Sequence, residues 1–211
     1  MVRLDAMANV PNSLTLFRIA VIPAIVVLFY LDGAAARWVA CGLFITAAIT
    51  DFLDGYIART RQLQSDFGRM LDPIADKLLV SSTLLMLVGF GDINGISLIP
   101  AVVILTREIV VSGLREFLAS LSIPVPVSQL SKWKTTLQLV AIGMLIVGNA
   151  IPAIAHLHLY AVIGLWIAGA ITLITGYDYL RASIQKVNAR ALREAPAVPA
   201  DLSQTSRHRE A

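Results

Sequence analysis

Four aspartates, Asp51, Asp54, Asp72 and Asp76, fall in the run DFLDGYIARTRQLQSDFGRMLDPIAD, within and beside some of the most apolar sequence of the chain. Asp51 and Asp54 are three apart and Asp72 and Asp76 four apart, so on helices each pair shares one face. Two adjacent helices carrying such pairs pool four carboxylates around one small volume, and that volume demands cations. On insertion scales a carboxylate at the middle of a membrane helix costs roughly 2.5–3.5 kcal/mol, so four without partners approach about 10 kcal/mol before their mutual repulsion. Divalent ions remove that penalty and leave a charged, reactive site. Ligands that are all oxygen favour a hard cation, magnesium or manganese.

The residues between the aspartates fit the same chemistry. Gly55 and Ala58 are small enough for a phosphorylated group to approach the backbone, and Arg59 can pair with phosphate. Gly68 opens the segment carrying Asp72 and Asp76, where the exposed backbone donors of a helix start favour anions. Two metal ions about 3.5–4 Å apart clamp a phosphoryl group and stabilise its entering and leaving oxygens. Any one of these aspartates could be an interfacial carboxylate on a solvated helix end; four at these spacings, with the small residues and Arg59 in place, argue against that. A cation transporter using the same carboxylates is the rival reading, and Arg59 speaks against it because it would repel the cargo.

The elements that must position these groups are membrane helices. The chain has 211 residues, 57% of them hydrophobic and 15% charged, with a mean hydropathy of +0.74. Six apolar stretches, at about 14–31, 38–57, 70–90, 96–118, 135–152 and 158–180, are long enough to span a bilayer. The expected fold is an all-α bundle of six transmembrane helices over 14–182. A short N-terminal cytoplasmic segment, 1–13, precedes it, and a cytoplasmic tail, 183–211, follows as a short helix passing into disorder. The first stretch is too long for a signal-peptide core and reads as a retained helix. Pro23 inside it is a tolerated kink. With both termini cytoplasmic, Arg37 alone of 17 Lys and Arg residues falls on the far side, and the far-side loops LDGAAAR, GDING and IPAIAHLH are poor in base. The net charge of +3 is thus explained by a basic face beside anionic lipid and requires no nucleic acid. Cys41 is the single cysteine, so no disulfide can form within the chain, and it reads as a small buried apolar residue.

Two further constellations carry charge into apolar sequence. Arg107 and Arg115, in TREIVVSGLRE, are eight apart and share a helix face; they form an anion pocket or pair with Glu108 and Glu116. Lys132 and Lys134, in SKWKTTLQ, sit at a helix start as a phosphate site or a lipid-headgroup contact. His156, His158 and His208 fall in a far-side loop and in the tail and read as solvated and uninvolved.

The pattern Asp51-x2-Asp54-Gly55-x2-Ala58-Arg59-x8-Gly68-x3-Asp72-x3-Asp76 resembles the signature of the CDP-alcohol phosphotransferase family at all eight fixed positions. The resemblance implies a six-helix membrane enzyme, a homodimer, that moves a phosphatidyl or similar group from a CDP-linked donor to an alcohol and releases CMP. It implies that Asp51, Asp54, Asp72 and Asp76 hold two divalent cations, Mg2+ or Mn2+, and that Asp76 is also the general base. Asp54, Gly55, Ala58, Arg59 and Gly68 then line the CDP site. PNSLTLFRI, TREIVVSGLRE and KWKTTLQ resemble the bacterial branch of that family that uses CDP-diacylglycerol as donor and sn-glycerol 3-phosphate as acceptor, with Ser131 standing where that branch commonly has Gly. The implied acceptor phosphate is a dianion that needs a basic pocket, which Arg107, Arg115, Lys132, Lys134 and Tyr179 can supply. The implied location is the bacterial cytoplasmic membrane, with the site facing the cytoplasm. Inositol phosphate, serine and phosphatidylglycerol remain as other acceptors for the same fold.

Overall fold

The computed structural model describes residues 10–61, 66–124, 129–148, 150 and 156–194, with side chains described for these except 10–14, 51–61, 66–70 and 191–194. Among the described residues the chain is all-α, with six helices: α1 (Val10–Tyr30), α2 (Ala34–Arg61), α3 (Asp66–Gly89), α4 (Leu98–Ser120), α5 (Gln129–Gly148) and α6 (Leu157–Glu194). A single 3-10 turn, Gly95–Ser97, leads into α4.

The helix ends follow local chemistry. Pro11 lies in the first turn of α1, where its missing N–H and fixed φ cost nothing, so the helix begins at Val10, ahead of the apolar stretch expected from residue 14. Gly33 and Gly91, at φ 107° and 78°, make the turns that follow α1 and α3. Leu121 and Ser122 close α4 through N–H donation to the carbonyls of Phe117 and Ala119. At 38 residues α6 is about 57 Å long, well beyond the ~30 Å of a bilayer core, and its last three turns carry Lys186 and Arg190 past the apolar stretch that ends near 180.

The bundle is ordered by its close contacts. α1 packs between α2 and α3, α5 joins α2 to α6, and α6 carries α4 on its other side. Ile25, Phe44, Leu84, Leu87, Ile104, Ile142, Leu145, Ile146 and Leu165 form the fully buried interior. α6 meets α4 through glycine: a Cβ on Gly169 would lie 2.8 Å from Pro100 Cβ, and one on Gly176 would lie 2.9 Å from Arg107 Cγ. Small residues at such crossings let helix backbones approach, the main source of packing energy where the surroundings are apolar.

At one end the turns between α1 and α2 and between α3 and α4 are locked together. Arg37 donates to Asp92, 2.7 Å away and buried, while the guanidinium lies over the rings of Phe29 (4.2 Å) and Phe90 (5.6 Å). The other end holds the starts of α1, α3 and α5 and the later halves of α2, α4 and α6. Every residue singled out above for metal, donor or acceptor binding belongs to these segments except Arg107, which lies just short of the middle of α4.

Gly95–Ser120 and Leu157–Arg190 are helices long and apolar enough to cross a membrane, and Thr15–Tyr30 and Ala34–Thr50 are shorter apolar helices. Val27, Leu85, Val102, Ile109 and Leu173 are among many large hydrophobics more than half exposed on the outside of the bundle. An outer surface of that kind matches apolar surroundings, since helices satisfy their own backbone groups.

Candidate active site

Asp72 and Asp76 lie in the second and third turns of α3, one turn apart and on one face. Pro73 follows Asp72 directly and removes one backbone donor from the helix there. Both carboxylates are engaged by α1, the helix alongside. Thr15 donates its hydroxyl to Asp72 Oδ1, and Arg18 Nη1 donates to Asp76 Oδ1 at 2.5 Å. Thr15 and Arg18 are themselves one turn apart, so two parallel helices match rungs: 15 to 72 and 18 to 76. Arg18 has no exposed surface at all, whereas the side chain of Asp76 remains 41% exposed. The carboxylate is therefore dry and fixed on one side and open on the other.

Asp51, Asp54, Gly55, Ala58 and Arg59 occupy the last three turns of α2, and Gly68 the first turn of α3. Their backbones are helical, as expected; their side chains lie outside the described residues. Among the described residues no three His, Cys, Asp or Glu side chains gather, because only two of the four aspartates belong to them. The donors that are described fit a hard divalent cation: two carboxylates one turn apart, one of them open, with a hydroxyl as neighbour and no sulfur or imidazole.

The second group of expected residues divides in two. Glu108 on α4 accepts from Lys134 Nζ on α5 and lies 3.5 Å from Arg107 Nη1. Lys134 is 2% exposed, and Gln138, one turn further along α5, is equally buried. Arg107 Nε, Gln138 Oε1 and Thr172 Oγ1 are buried with no hydrogen-bond partner. Buried polar atoms in a native protein are nearly always satisfied, so this interior is suited to a polar ligand. Arg107 pairs with Glu108, as one of the two alternatives has it, and still retains the unsatisfied Nε. The outer group lies toward the end of α4. Arg115 is exposed, its guanidinium 6.0 Å from the ring of Tyr179, and the two line a cavity of about 550 Å³ with Leu118, Ser122 and Pro124. Lys132 is exposed and two residues from buried Lys134, so helix geometry turns the two ammonium groups to different faces.

Thr15 and Arg18 are site residues to which motif reading assigns no role, and Glu108, expected only as a partner of an arginine, also holds Lys134. For Arg18 a signal exists: an arginine within the apolar run LTLFRIAVIPAIVVLFY is costly unless paired, and that run holds no acid of its own.

The sequence profile of the CDP-alcohol phosphatidyltransferase family matches residues 8–174. The chain is 51% identical to the CDP-diacylglycerol–glycerol-3-phosphate 3-phosphatidyltransferase of Rickettsia bellii, covering 82% of this chain and 94% of that one. It is 50% identical to the protein of the same name from Rickettsia typhi, over 83% and 97%. It is also 37% identical to a cardiolipin synthase (CMP-forming) of Oryza sativa, over 75% of this chain and 54% of that one.

Proposed function

The chain belongs to the CDP-alcohol phosphatidyltransferase family, and on that premise we propose that it transfers the phosphatidyl group of CDP-diacylglycerol to sn-glycerol 3-phosphate, giving phosphatidylglycerophosphate and CMP. The observation that carries this reading is the half-identity, over nearly their whole length, to relatives named for that reaction. The Arg107–Glu108–Lys134 cluster, with Lys134 buried and the other two partly buried, supports it, because a phosphate dianion as acceptor calls for cations shielded from water and a neutral alcohol does not.

Asp51, Asp54, Asp72 and Asp76 are the residues that hold two divalent cations, Mg2+ or Mn2+, whose chemistry there is to neutralise the pyrophosphate and the departing CMP. Asp54, Gly55, Ala58, Arg59 and Gly68 line the CDP site at the facing ends of α2 and α3. Arg107 and Lys134 take the acceptor phosphate, and Arg115, Lys132 and Tyr179 form its approach from the open end. Asp76, open on one side, accepts the proton of the acceptor's primary hydroxyl as that oxygen attacks the phosphorus bearing diacylglycerol. The phosphorus–oxygen bond to CMP breaks as the new ester bond forms.

All six helices span the membrane in this reading, with both termini and the site on the cytoplasmic side of a bacterial inner membrane, and the enzyme is a homodimer. The setting has a physical rationale: the donor's acyl chains stay in the bilayer and the charged acceptor stays in water. A second acceptor, phosphatidylglycerol, is favoured by the likeness to the rice cardiolipin synthase. CMP release measured with glycerol 3-phosphate, phosphatidylglycerol, serine and inositol phosphate decides between them. Turnover with glycerol 3-phosphate alone is expected; turnover with phosphatidylglycerol and none with glycerol 3-phosphate refutes the assignment.

A further inference from the structure

Among the described residues Arg18 is the largest side chain with no exposed surface, and it donates to the carboxylate assigned above as the base. A tie between α1 and α3 alone could be made more cheaply by apolar packing, because burying an ion pair costs desolvation that its attraction only partly repays. The contact also falls at the site rather than elsewhere along these helices, and Thr15 repeats it one turn away on Asp72.

From this geometry we infer that Arg18 is a positioning residue: by fixing Asp76 Oδ1 from the dry side it holds the carboxylate in the one orientation that serves the acceptor hydroxyl, and Thr15 does the same for Asp72. The inference rests on the function proposed above. It differs from a structural tie in one respect. A cation beside a metal site opposes metal binding by like-charge repulsion. Removing it leaves the metal affinity intact or raises it, while turnover falls because the carboxylate can rotate.

The test is Arg18→Met and Arg18→Lys in the full-length protein purified in detergent micelles, with monodispersity checked by size exclusion. Two quantities are measured: Mn2+ binding to the metal-depleted protein by electron paramagnetic resonance, and kcat and KM for both substrates. For Arg18→Met, kcat is expected to fall about ten- to a hundredfold, the equivalent of one charge-assisted contact. Both KM values should hold within about threefold, and the Mn2+ dissociation constant should stay level or drop. Arg18→Lys, which restores the charge but not the fork, should recover part of kcat, and it carries the test if Arg18→Met does not fold. A kcat within about threefold of wild type in the folded variants overturns the inference. So does a joint loss of kcat and Mn2+ affinity, the mark of a collapsed site. Wild-type protein that binds no Mn2+ and turns over under chelation overturns the metal assignment itself, and this inference with it, a result distinct from either of the others.

Discussion

Replacing Lys134 by Met separates the inner cationic cluster from the outer one. Lys134 is buried and shares Glu108 with Arg107, so its ammonium is among the least hydrated charges of the described residues. Methionine keeps most of the volume and removes the charge. Losing one charge-assisted contact to a phosphate dianion costs about 1.5–3 kcal/mol, or roughly ten- to a hundredfold in kcat/KM. Glu108 is left with Arg107, 3.5 Å away, as a partner, so the carboxylate is not stranded and the fold should survive. Arg115 is different: it is exposed, and its contact with Tyr179 at 6.0 Å belongs to the class worth about 0.5–1 kcal/mol. A two-substrate kinetic matrix on Lys134→Met and Arg115→Ala should therefore show the KM for glycerol 3-phosphate rising by at least about tenfold in the first and by less than about fivefold in the second. The KM for CDP-diacylglycerol should move little in either. If Lys134→Met leaves glycerol 3-phosphate use unchanged, or weakens both substrates equally, the division of the site into donor and acceptor halves is wrong.

Chelation should abolish activity and added Mg2+ or Mn2+ restore it, and Asp72→Asn should be inactive yet elute as wild type on size exclusion; activity in a thoroughly chelated sample refutes the metal assignment. With Cys41 replaced by Ala, a single cysteine placed within residues 92–95 should react with an impermeant thiol reagent added outside cells, and one placed within 61–66 only after the membrane is opened; the opposite pattern inverts the topology. Gly169→Ala sets a methyl group 2.8 Å from the rigid Pro100 ring and should lower stability by about 1–3 kcal/mol in thermal unfolding. Gly176→Ala meets only the flexible Arg107 chain, so it should leave the melting temperature near wild type and raise the KM for glycerol 3-phosphate instead.

The helices were legible because apolar runs of membrane length have few alternatives: α3 and α4 begin and end within four residues of the stretches read from composition. The loops LDGAAAR and GDING read from the sequence fall at the junctions of α1 with α2 and of α3 with α4. The run proposed as metal and donor site is local in sequence, on the end of α2 and the start of α3, so its pattern of residues could be seen without knowing how the helices pack. What could not be read was pairing across the bundle. Thr15 and Arg18 are more than fifty residues from the aspartates they hold, and no periodicity links them. The same holds for the five expected acceptor residues. Their residue types and helix faces were visible, but the meeting of Arg107 and buried Lys134 at Glu108, apart from exposed Arg115 beside Tyr179, depends on how α4, α5 and α6 lean together. The far end of α6 shows the limit of composition: a span to about 180 and a short helix in the tail were expected as separate pieces, and they are one continuous helix to Glu194, along which Lys186 and Arg190 find the carbonyls of Pro124 and Leu121.

The Phe29–Arg37–Phe90 stack with Asp92 closes one end of the bundle, and behind it Ile25, Phe44, Leu84, Leu87, Ile142 and Ile146 are wholly buried. An energised membrane places roughly 2.3 kcal/mol on each elementary charge per 100 mV, so any wet path through it becomes a leak. A site holding cations on Asp51, Asp54, Asp72 and Asp76, as proposed above, would be half of such a path. The aliphatic layer withholds the other half. In the membrane reading proposed above, that layer would let a hydrated site holding cations sit inside the bilayer without short-circuiting the gradient on which the rest of the cell depends.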